Sequence, residues 1–295
     1  MPKQMPVVAI TGASGYLGAR ICSTLESRAW HVIRLVRSTR MNPVKELPYD
    51  LANPITHQVR EKLRTVDVLI HCAYDLSLTG AIDIWKVNVE GTRRLLEVAK
   101  DAGVRRIIVM SSMSAFDGTT QLYGRAKLEI EGMTKEFAGC AVRPGLVYGP
   151  ESGGMAGALS RLTRLPIVPV MAGQAGVYTV HEDDLMVVIQ KLASTQNLPP
   201  QTISVAHPSR VALTDVLNFL AAQEDHKCRF IPLPWQFFYW PLRSAELLRL
   251  HLPFRADSLL GLVHTTSELH GEDQLTRLNV TLREFPSDLT KRDEH

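Results

Sequence analysis

A phenol and an ammonium stand four residues apart in YGRAK, at Tyr123 and Lys127. On a helix this spacing places both side chains on one face. A free phenol titrates at about pH 10, and a neighbouring cation favours its ionised form. The pair could therefore give a proton to a carbonyl oxygen or take one from an alcohol. Exposed Tyr/Lys pairs are also common in helices, so the interpretation depends on what the rest of the chain places around them.

A glycine-rich turn near the start of the chain predicts a phosphate site. An apolar run at residues 7–11 is typical of a strand buried on both faces, and glycines follow at three-residue intervals before a helical pattern. Glycine permits a sharp turn and close approach to a pyrophosphate, while the helix N-terminus aims unpaired N–H groups at the phosphates. The predicted dinucleotide contacts are Gly12, Ser14, Gly15, Tyr16, Leu17 and Gly18.

The turn reads TGASGYLG and resembles the TGxxGxxG signature of the extended short-chain dehydrogenase/reductases, the NAD-dependent epimerase/dehydratase family. Residues 66–73 are similar to the family's DxVIHxAA, residues 88–100 to NVxGTxxLLEAA and residues 141–150 to RPxxVYGP. YGRAK follows the fifth predicted strand, residues 106–112, at about the family's distance. The resemblance covers about residues 5–206 and implies an α/β fold, a Rossmann-type doubly wound parallel sheet with a smaller C-terminal substrate lobe.

The resemblance implies three catalytic side chains. Tyr123 is the expected acid/base, and Lys127 is expected to lower its pKa and to bind the nicotinamide ribose. The family's SSxxxVYG carries a Ser or Thr at the third position, which polarises the substrate carbonyl. Counting back from Gly118 places Met113 there, and a thioether donates no hydrogen bond. Counting forward from the strand selects Ser112, which we predict, with Ser114 as the second choice.

The end of the second predicted strand, residues 31–36, bears on the choice of cofactor. NAD-selective sites carry an acidic side chain there, but this chain has Arg37, followed by Ser38 and Arg40. A guanidinium offers a fork of donors and a fixed charge to a 2′-phosphate. We predict a preference for NADP(H), with NAD(H) as the second choice. A solvated loop cation at Arg37 is the alternative.

The resemblance implies further cofactor contacts along the strand ends and the loops that follow them. Asp50 could contact the adenine or form a turn, and Asn88 could support the site or cap a helix. His181 invites a catalytic role, but we expect a structural one, with Asp183 or Asp184 capping the next helix. The remaining predicted contacts are Leu51, Ala73, Ser111, Lys127, Pro144, Gly145 and Val147.

Composition limits the partners. The net charge of +3 is spread over 295 residues, which predicts no nucleic-acid partner, and no apolar run long enough for membrane insertion occurs. Four scattered cysteines without a CxxC pair indicate a reduced, cytoplasmic protein and no metal site. We expect a dinucleotide-binding domain at 1–150, a return to it at 177–206, and a substrate lobe mainly within 151–295. The aromatic segment 230–254 fits core and pocket wall first, a homodimer contact second and a membrane-surface patch last.

Three functions remain open from the sequence. The first is an NADP(H)-dependent oxidoreductase that reduces a carbonyl, such as the keto group of a nucleotide sugar or a related small molecule. The second is a nucleotide-sugar epimerase or dehydratase with retained NAD, against which Arg37 argues because a retained carrier needs no 2′-phosphate. The third is a non-catalytic NADP(H)-binding sensor, which Met113 favours and the Tyr123–Lys127 pair opposes. The substrate is not identified by the sequence.

Overall fold

The computed structural model describes residues 6–38, 45–151, 153–171, 176–196, 198, 201–234, 236–237, 240–241, 244 and 268–286. Its strands are β1 Val7–Thr11, β2 His31–Val36, β3 Glu46–Pro48, β4 Val68–His71, β5 Arg106–Met110, β6 Cys140–Pro144, β7 Leu146–Tyr148, β8 Ile167–Met171, β9 Thr179–His181, β10 Gln201–Val205 and β11 Arg229–Leu233. Its helices are α1 Tyr16–Glu26, α2 His57–Leu63, α3 Ala81–Ile84, α4 Glu90–Asp101, α5 Leu122–Glu136, α6 Gly154–Thr163, α7 Glu182–Ser194, α8 Leu213–Gln223 and α9 Glu272–Arg277, with a π-helical segment Trp85–Val89 joining α3 to α4.

The main sheet has seven strands in the order β10-β6-β5-β4-β1-β2-β3, and every neighbouring pair is parallel. Its central strands are apolar on both faces because helices cover both sides; all four residues of β4 are buried. This architecture confirms the predicted doubly wound sheet. The strand order reverses beside β1, so the carboxyl ends of β1 and β4 border the crevice where sheets of this kind bind ligands.

Beyond the main sheet there are two small parallel pairs: β7, which precedes residue 151, pairs with β9, and β8 pairs with β11. Helices α6 and α8 pack an apolar cluster against β8, with Leu159, Val168 and Val216 among its buried residues. β10 then rejoins the main sheet beside β6. The division into two lobes stays a prediction. Most of the aromatic segment 230–254 lies outside the described residues, and in the described part of the chain no helix has the length and apolarity of a membrane span.

Candidate active site

The glycine turn lies at the crevice between β1 and β4 and leaves a helix N-terminus open. Gly12 has φ +65°, and a Cβ there would lie 2.8 Å from the backbone nitrogen of Ala73. A Cβ on Gly18 would collide with the Gly12 carbonyl, so α1 packs directly on the turn. Gly15 is the N-cap of α1, where no side chain caps the helix and no acid occupies the first turn. Unpaired N–H groups there suit an anion, so the turn fits a pyrophosphate.

The other predicted residues of the turn face different surroundings. Ser14 is exposed, whereas Leu17 packs against the core beneath α1. The Tyr16 hydroxyl donates to Glu182 Oε2 at 2.9 Å, and Arg20 Nη2 donates to Glu182 Oε1 at 3.2 Å. Burial, together with the Glu182 carboxylate, raises the pKa of the Tyr16 phenol. The side chain of Tyr16 therefore ties the turn to the start of α7.

A buried histidine joins the ends of β1 and β4 to α4. His71 Nδ1 lies 2.7 Å from Thr11 Oγ1, and its Nε2 lies 2.9 Å from Thr92 Oγ1. Burial and the charge of Lys127 lower the His71 pKa to about 3, so the ring is neutral at ordinary pH. The Thr11 hydroxyl also accepts the backbone N–H of Ala73 at 3.2 Å. Sequence reasoning assigned no role to His71, although the histidine of DxVIHxAA marked it.

Asn88 fastens the loop that follows β4. Its Oδ1 accepts the N–H of Asp75 at 2.7 Å, and its Nδ2 donates to the Asp75 carbonyl at 3.2 Å. The residue lies inside the π-helical segment rather than at a helix start, so the N-cap alternative is wrong. Such segments frequently mark functional sites. Here the segment supports the loop beside the predicted acid/base.

Lys127 is buried on α5 beneath two aromatic rings. Its Nζ donates to the Met110 carbonyl at the end of β5 at 2.7 Å, and it lies 4.6 Å from the ring centre of Tyr74 and 5.9 Å from that of Tyr123. Burial lowers the Lys127 pKa to about 8, partly opposed by Cys72 and Glu131. A Cβ on Gly124 would clash with the Ser114 carbonyl, so its absence lets α5 approach the loop after β5.

The Ser112 hydroxyl lies close enough to the Tyr123 phenol to affect its pKa. Burial raises the Tyr123 pKa and the Ser112 contact lowers it, with burial dominant. The expected lowering by Lys127 is not found, because the loss of hydration around the half-buried phenol outweighs the other contributions. Ser112 Oγ also accepts the Ser114 N–H at 3.2 Å, and Met113 is buried in a cluster with Tyr178. Of the three candidates, Ser112 is the one whose hydroxyl contacts the phenol.

A buried ion pair lies one helical turn from Lys127. Arg143 Nε and Nη2 donate to the two oxygens of Glu131, each at 2.7 Å, and both side chains are buried. The Ser111 hydroxyl, predicted as a cofactor contact, donates to Glu131 Oε1. Thr202 Oγ1 lies 3.4 Å from Glu131 Oε2. Sequence reasoning missed this cluster; the only signal was a carboxylate four residues after Lys127 on the same helix face.

Arg37 and Ser38, which we predict to bind the adenosine end of the cofactor, are exposed to solvent. The Arg37 side chain is 73% exposed, and its Nη1 lies 4.0 Å from Asp75 Oδ2. Ser38 is exposed beside it, and Arg40 lies outside the described residues. Asp50 Oδ1 accepts the Ala52 N–H at 3.0 Å, which closes a turn. Leu51 is buried, and its carbonyl accepts Arg94 Nη2 at 2.8 Å.

The stretch after β6 and the start of α7 serve chain packing. Pro144 ends β6, the Gly145 N–H donates to the Val205 carbonyl at 3.0 Å, and Val147 is buried in the core. His181 is the N-cap of α7, and its Nδ1 accepts the Asp183 N–H at 3.2 Å. The structural role of His181 is thus observed, but the expectation that an aspartate caps the helix is wrong. Asp184 instead accepts the backbone and side-chain N–H groups of Arg283.

Comparisons with known proteins agree with this fold. The profile of the NAD dependent epimerase/dehydratase family matches residues 8–184. The ceramide reductase of Caulobacter vibrioides is 28% identical over 236 residues, 77% of this chain and 74% of that protein. MoeE5 in complex with UDP-glucose and NAD has a TM-score of 0.69 at 21% identity, covering 95% of this chain and 94% of that chain. The dTDP-4-dehydrorhamnose reductase of Bacillus anthracis in complex with NADP has a TM-score of 0.66 at 18% identity, covering 88% and 99%.

Proposed function

Because this chain belongs to the NAD dependent epimerase/dehydratase family, we propose that it is an NADP(H)-dependent oxidoreductase that reduces a carbonyl group on a small molecule. The observation that carries the proposal is the position of the Tyr123 phenol beside Ser112 and the buried Lys127 ammonium, whose Nζ lies 5.9 Å from the Tyr123 ring centre. A phenol with a raised pKa stays protonated near neutral pH, and this is the form that gives a proton to a carbonyl undergoing reduction.

The residues of the turn and of the β2 end fit a bound dinucleotide. The N–H groups in the first turn of α1, which follows its N-cap Gly15, would hold the pyrophosphate, and Arg37 would bind the 2′-phosphate. Lys127 directs one N–H bond to Met110, which leaves donors to hold the nicotinamide ribose. When bound, NADPH supplies the hydride. The preference for NADP(H) rests on Arg37, because a guanidinium favours a dianionic phosphate over a bare ribose hydroxyl.

Each catalytic side chain then has one task. Ser112 donates a hydrogen bond to the substrate oxygen and increases the positive charge on its carbon. Tyr123 gives its proton to the same oxygen as negative charge develops there. The Lys127 ammonium stabilises the phenolate that remains until the proton is replaced from solvent. The three groups come from the loop after β5 and from one face of α5.

We propose that the substrate is either a keto-sugar nucleotide or an apolar ketone. The first class follows from the resemblance, and the solved relatives include a reductase named for a nucleotide sugar. The second is supported by the curated relative named ceramide reductase, which spans three quarters of this chain. In both classes the reacting group is a carbonyl, so the chemistry at Tyr123 is the same.

The direct test incubates the purified protein with NADPH and a panel containing both substrate classes. We expect oxidation of NADPH with one class, and its loss in Tyr123→Phe. Tyr49→Phe is the matched control, because Tyr49 is a buried phenol packed in the core beside β3. Isomerised product without net use of NADPH would replace the proposal with an epimerase. Tight NADPH binding without turnover of any substrate would favour the sensor.

A binding experiment tests the cofactor preference separately. Arg37→Ser should weaken NADPH binding by roughly 10- to 100-fold, the usual value of a charged hydrogen bond, and should leave NADH binding nearly unchanged. Arg64→Ser is the matched control, since Arg64 is an exposed arginine that pairs with Glu61 on α2. Equal weakening of both cofactors would remove Arg37 as the basis of the preference.

A further inference from the structure

Tyr74 holds a fixed position at the carboxyl end of β4. The backbone N–H of the residue before it donates to Thr11 Oγ1 at 3.2 Å. The N–H of the residue after it donates to Asn88 Oδ1 at 2.7 Å. Tyr74 is thus anchored on both sides, from β1 and from the π-helical segment. In the family pattern DxVIHxAA the corresponding place is an alanine, so this aromatic ring is a feature of the present chain.

The Tyr74 ring contacts both members of the predicted catalytic pair. Its centre lies 5.1 Å from that of the Tyr123 ring, with the planes at 79°, a T-shaped contact. Lys127 Nζ lies over the same ring at 4.6 Å from its centre. Lys127 is 5% exposed, and the one described hydrogen bond of its ammonium goes to the Met110 carbonyl. The face of the Tyr74 ring therefore replaces part of the water that would otherwise surround this charge.

We propose that Tyr74 is a positioning residue of the Tyr123–Lys127 pair: its ring face stabilises the Lys127 ammonium, and its T-shaped contact holds the Tyr123 ring. The attraction is between a cation and the ring quadrupole, so it needs the ring and not the hydroxyl. The edge-to-face geometry of the two tyrosines is the favoured arrangement for aromatic pairs. The catalytic consequence rests on the proposed function, whereas the contact with Lys127 does not.

The first experiment measures the Lys127 titration in the protein without substrate. Nuclear magnetic resonance of side-chain-labelled lysine follows the ammonium, and Lys127→Met assigns its signal. We expect Tyr74→Leu to lower the Lys127 pKa by roughly half a unit to one unit, and Tyr74→Phe to leave it unchanged. Phe137→Leu is the matched control, because it removes the Lys100 cation–π contact at the far end of α5.

The second experiment uses the pH profile of kcat. Reduction requires a protonated Tyr123 and a charged Lys127, so the rate falls on the alkaline side. In Tyr74→Leu this fall should begin at a lower pH by the same half to one unit, with kcat near neutrality lowered about tenfold through misplacement of the phenol. KM should change little, and Tyr74→Phe should restore both the rate and the profile. A purely structural role would lower activity without moving the profile.

The outcomes separate the two proposals. An unchanged Lys127 titration in Tyr74→Leu, or equal shifts in the leucine and phenylalanine variants, would overturn the role of Tyr74. If no carbonyl substrate is reduced, the proposed function fails but the titration still decides the contact. Tyr74→Met serves as a second variant without a ring if circular dichroism shows that leucine disturbs the fold.

Discussion

Two buried charged sites lie one turn apart on α5 and are satisfied in different ways. Glu131 has a complete set of partners: two hydrogen bonds from Arg143, the Ser111 hydroxyl and the Thr202 hydroxyl. Lys127 has one described hydrogen bond, to a backbone carbonyl, and lies near two aromatic rings; Glu131 acts on it through its charge, with no described hydrogen bond between the two. Both side chains are excluded from water. The Lys127 ammonium keeps donors for a further partner, whereas in the ion pair the atom left without a described hydrogen bond is Nη1 of Arg143.

The contrast separates structural charge from reactive charge. A buried ion with complete pairing holds its neighbours in place and has little reason to change protonation. A buried ammonium without a direct carboxylate partner has its pKa lowered to about 8 and responds to whatever binds beside it. The ion pair then fastens α5 to β6 and to the end of β5, while the proposed function has Lys127, one turn earlier, act on Tyr123.

The largest effect should follow from removing the reactive charge. Lys127→Met keeps a stem of similar length but leaves the phenolate of Tyr123 without its cation. We expect kcat of the NADPH-dependent reduction to fall by about 10²- to 10⁴-fold, the range for loss of acid–base function. Lys135→Met, at an exposed position near the end of the same helix, is the control and should retain the full rate. A Lys127→Met enzyme of nearly normal kcat would remove the distinction drawn between the two sites.

Removing half of the ion pair should affect stability instead. Arg143→Met leaves the Glu131 carboxylate buried without a cation, which typically costs about 3–5 kcal/mol in the free energy of unfolding. Urea denaturation measures the change. Arg93→Met is the control, because Arg93 pairs with Glu136 at the surface, where salt bridges contribute little. A small effect of Arg143→Met would mean that the Glu131 carboxylate is not held by this pair.

The fold and the pairing of Tyr123 with Lys127 were predictable from the sequence. Doubly apolar strands, the glycine spacing and YGRAK predicted the parallel sheet and placed Lys127 and Tyr123 on one helix face, because these signals are local and periodic. The pattern after the fifth strand also favoured Ser112, whose hydroxyl contacts the phenol. The family match confirms the resemblance on which the remaining expectations were based.

The partners of Glu131 were not predictable from the sequence, because they come from distant segments of the chain. Glu131 meets a side chain 12 residues away and another 71 residues away, and Tyr16 meets one 166 residues away. No spacing rule connects such residues, and each of them alone resembles an ordinary surface residue. The raised pKa of Tyr123 was missed for a related reason: burial depends on how the loops after β4 and β5 close over the phenol.

The pH dependence of stability distinguishes the two sites without any substrate. Lys127 has a folded-state pKa of about 8, below the ordinary lysine value of 10.5. Below about pH 8 both the folded and unfolded chains carry the charge, and the cost of burying it is fully present. Between these two pH values the unfolded chain binds more protons, so the free energy of unfolding rises with pH, on the order of 3 kcal/mol from this group.

The measurement compares unfolding of the wild type with that of Lys127→Met over this pH range. Every other titrating group is shared, so the difference isolates the ammonium. We expect the wild type to gain stability relative to the variant as pH rises from about 8 towards 10.5, by on the order of 3 kcal/mol. Parallel curves for the two proteins would mean that the ammonium is solvated in the folded chain.

The smallest effect should come from replacing the whole ion pair with apolar side chains. In the double variant Glu131→Leu with Arg143→Met, neither charge is left buried alone, and such replacements are often neutral or stabilising. We expect an unfolding free energy within about 2 kcal/mol of the wild type, well above that of Arg143→Met alone, because Ser111 loses an acceptor but no charge is stranded. If the pair is structural, kcat should also stay within about tenfold of the wild type. A double variant that unfolds normally yet is as inactive as Lys127→Met would place Glu131 in the catalytic apparatus and join the two sites into one.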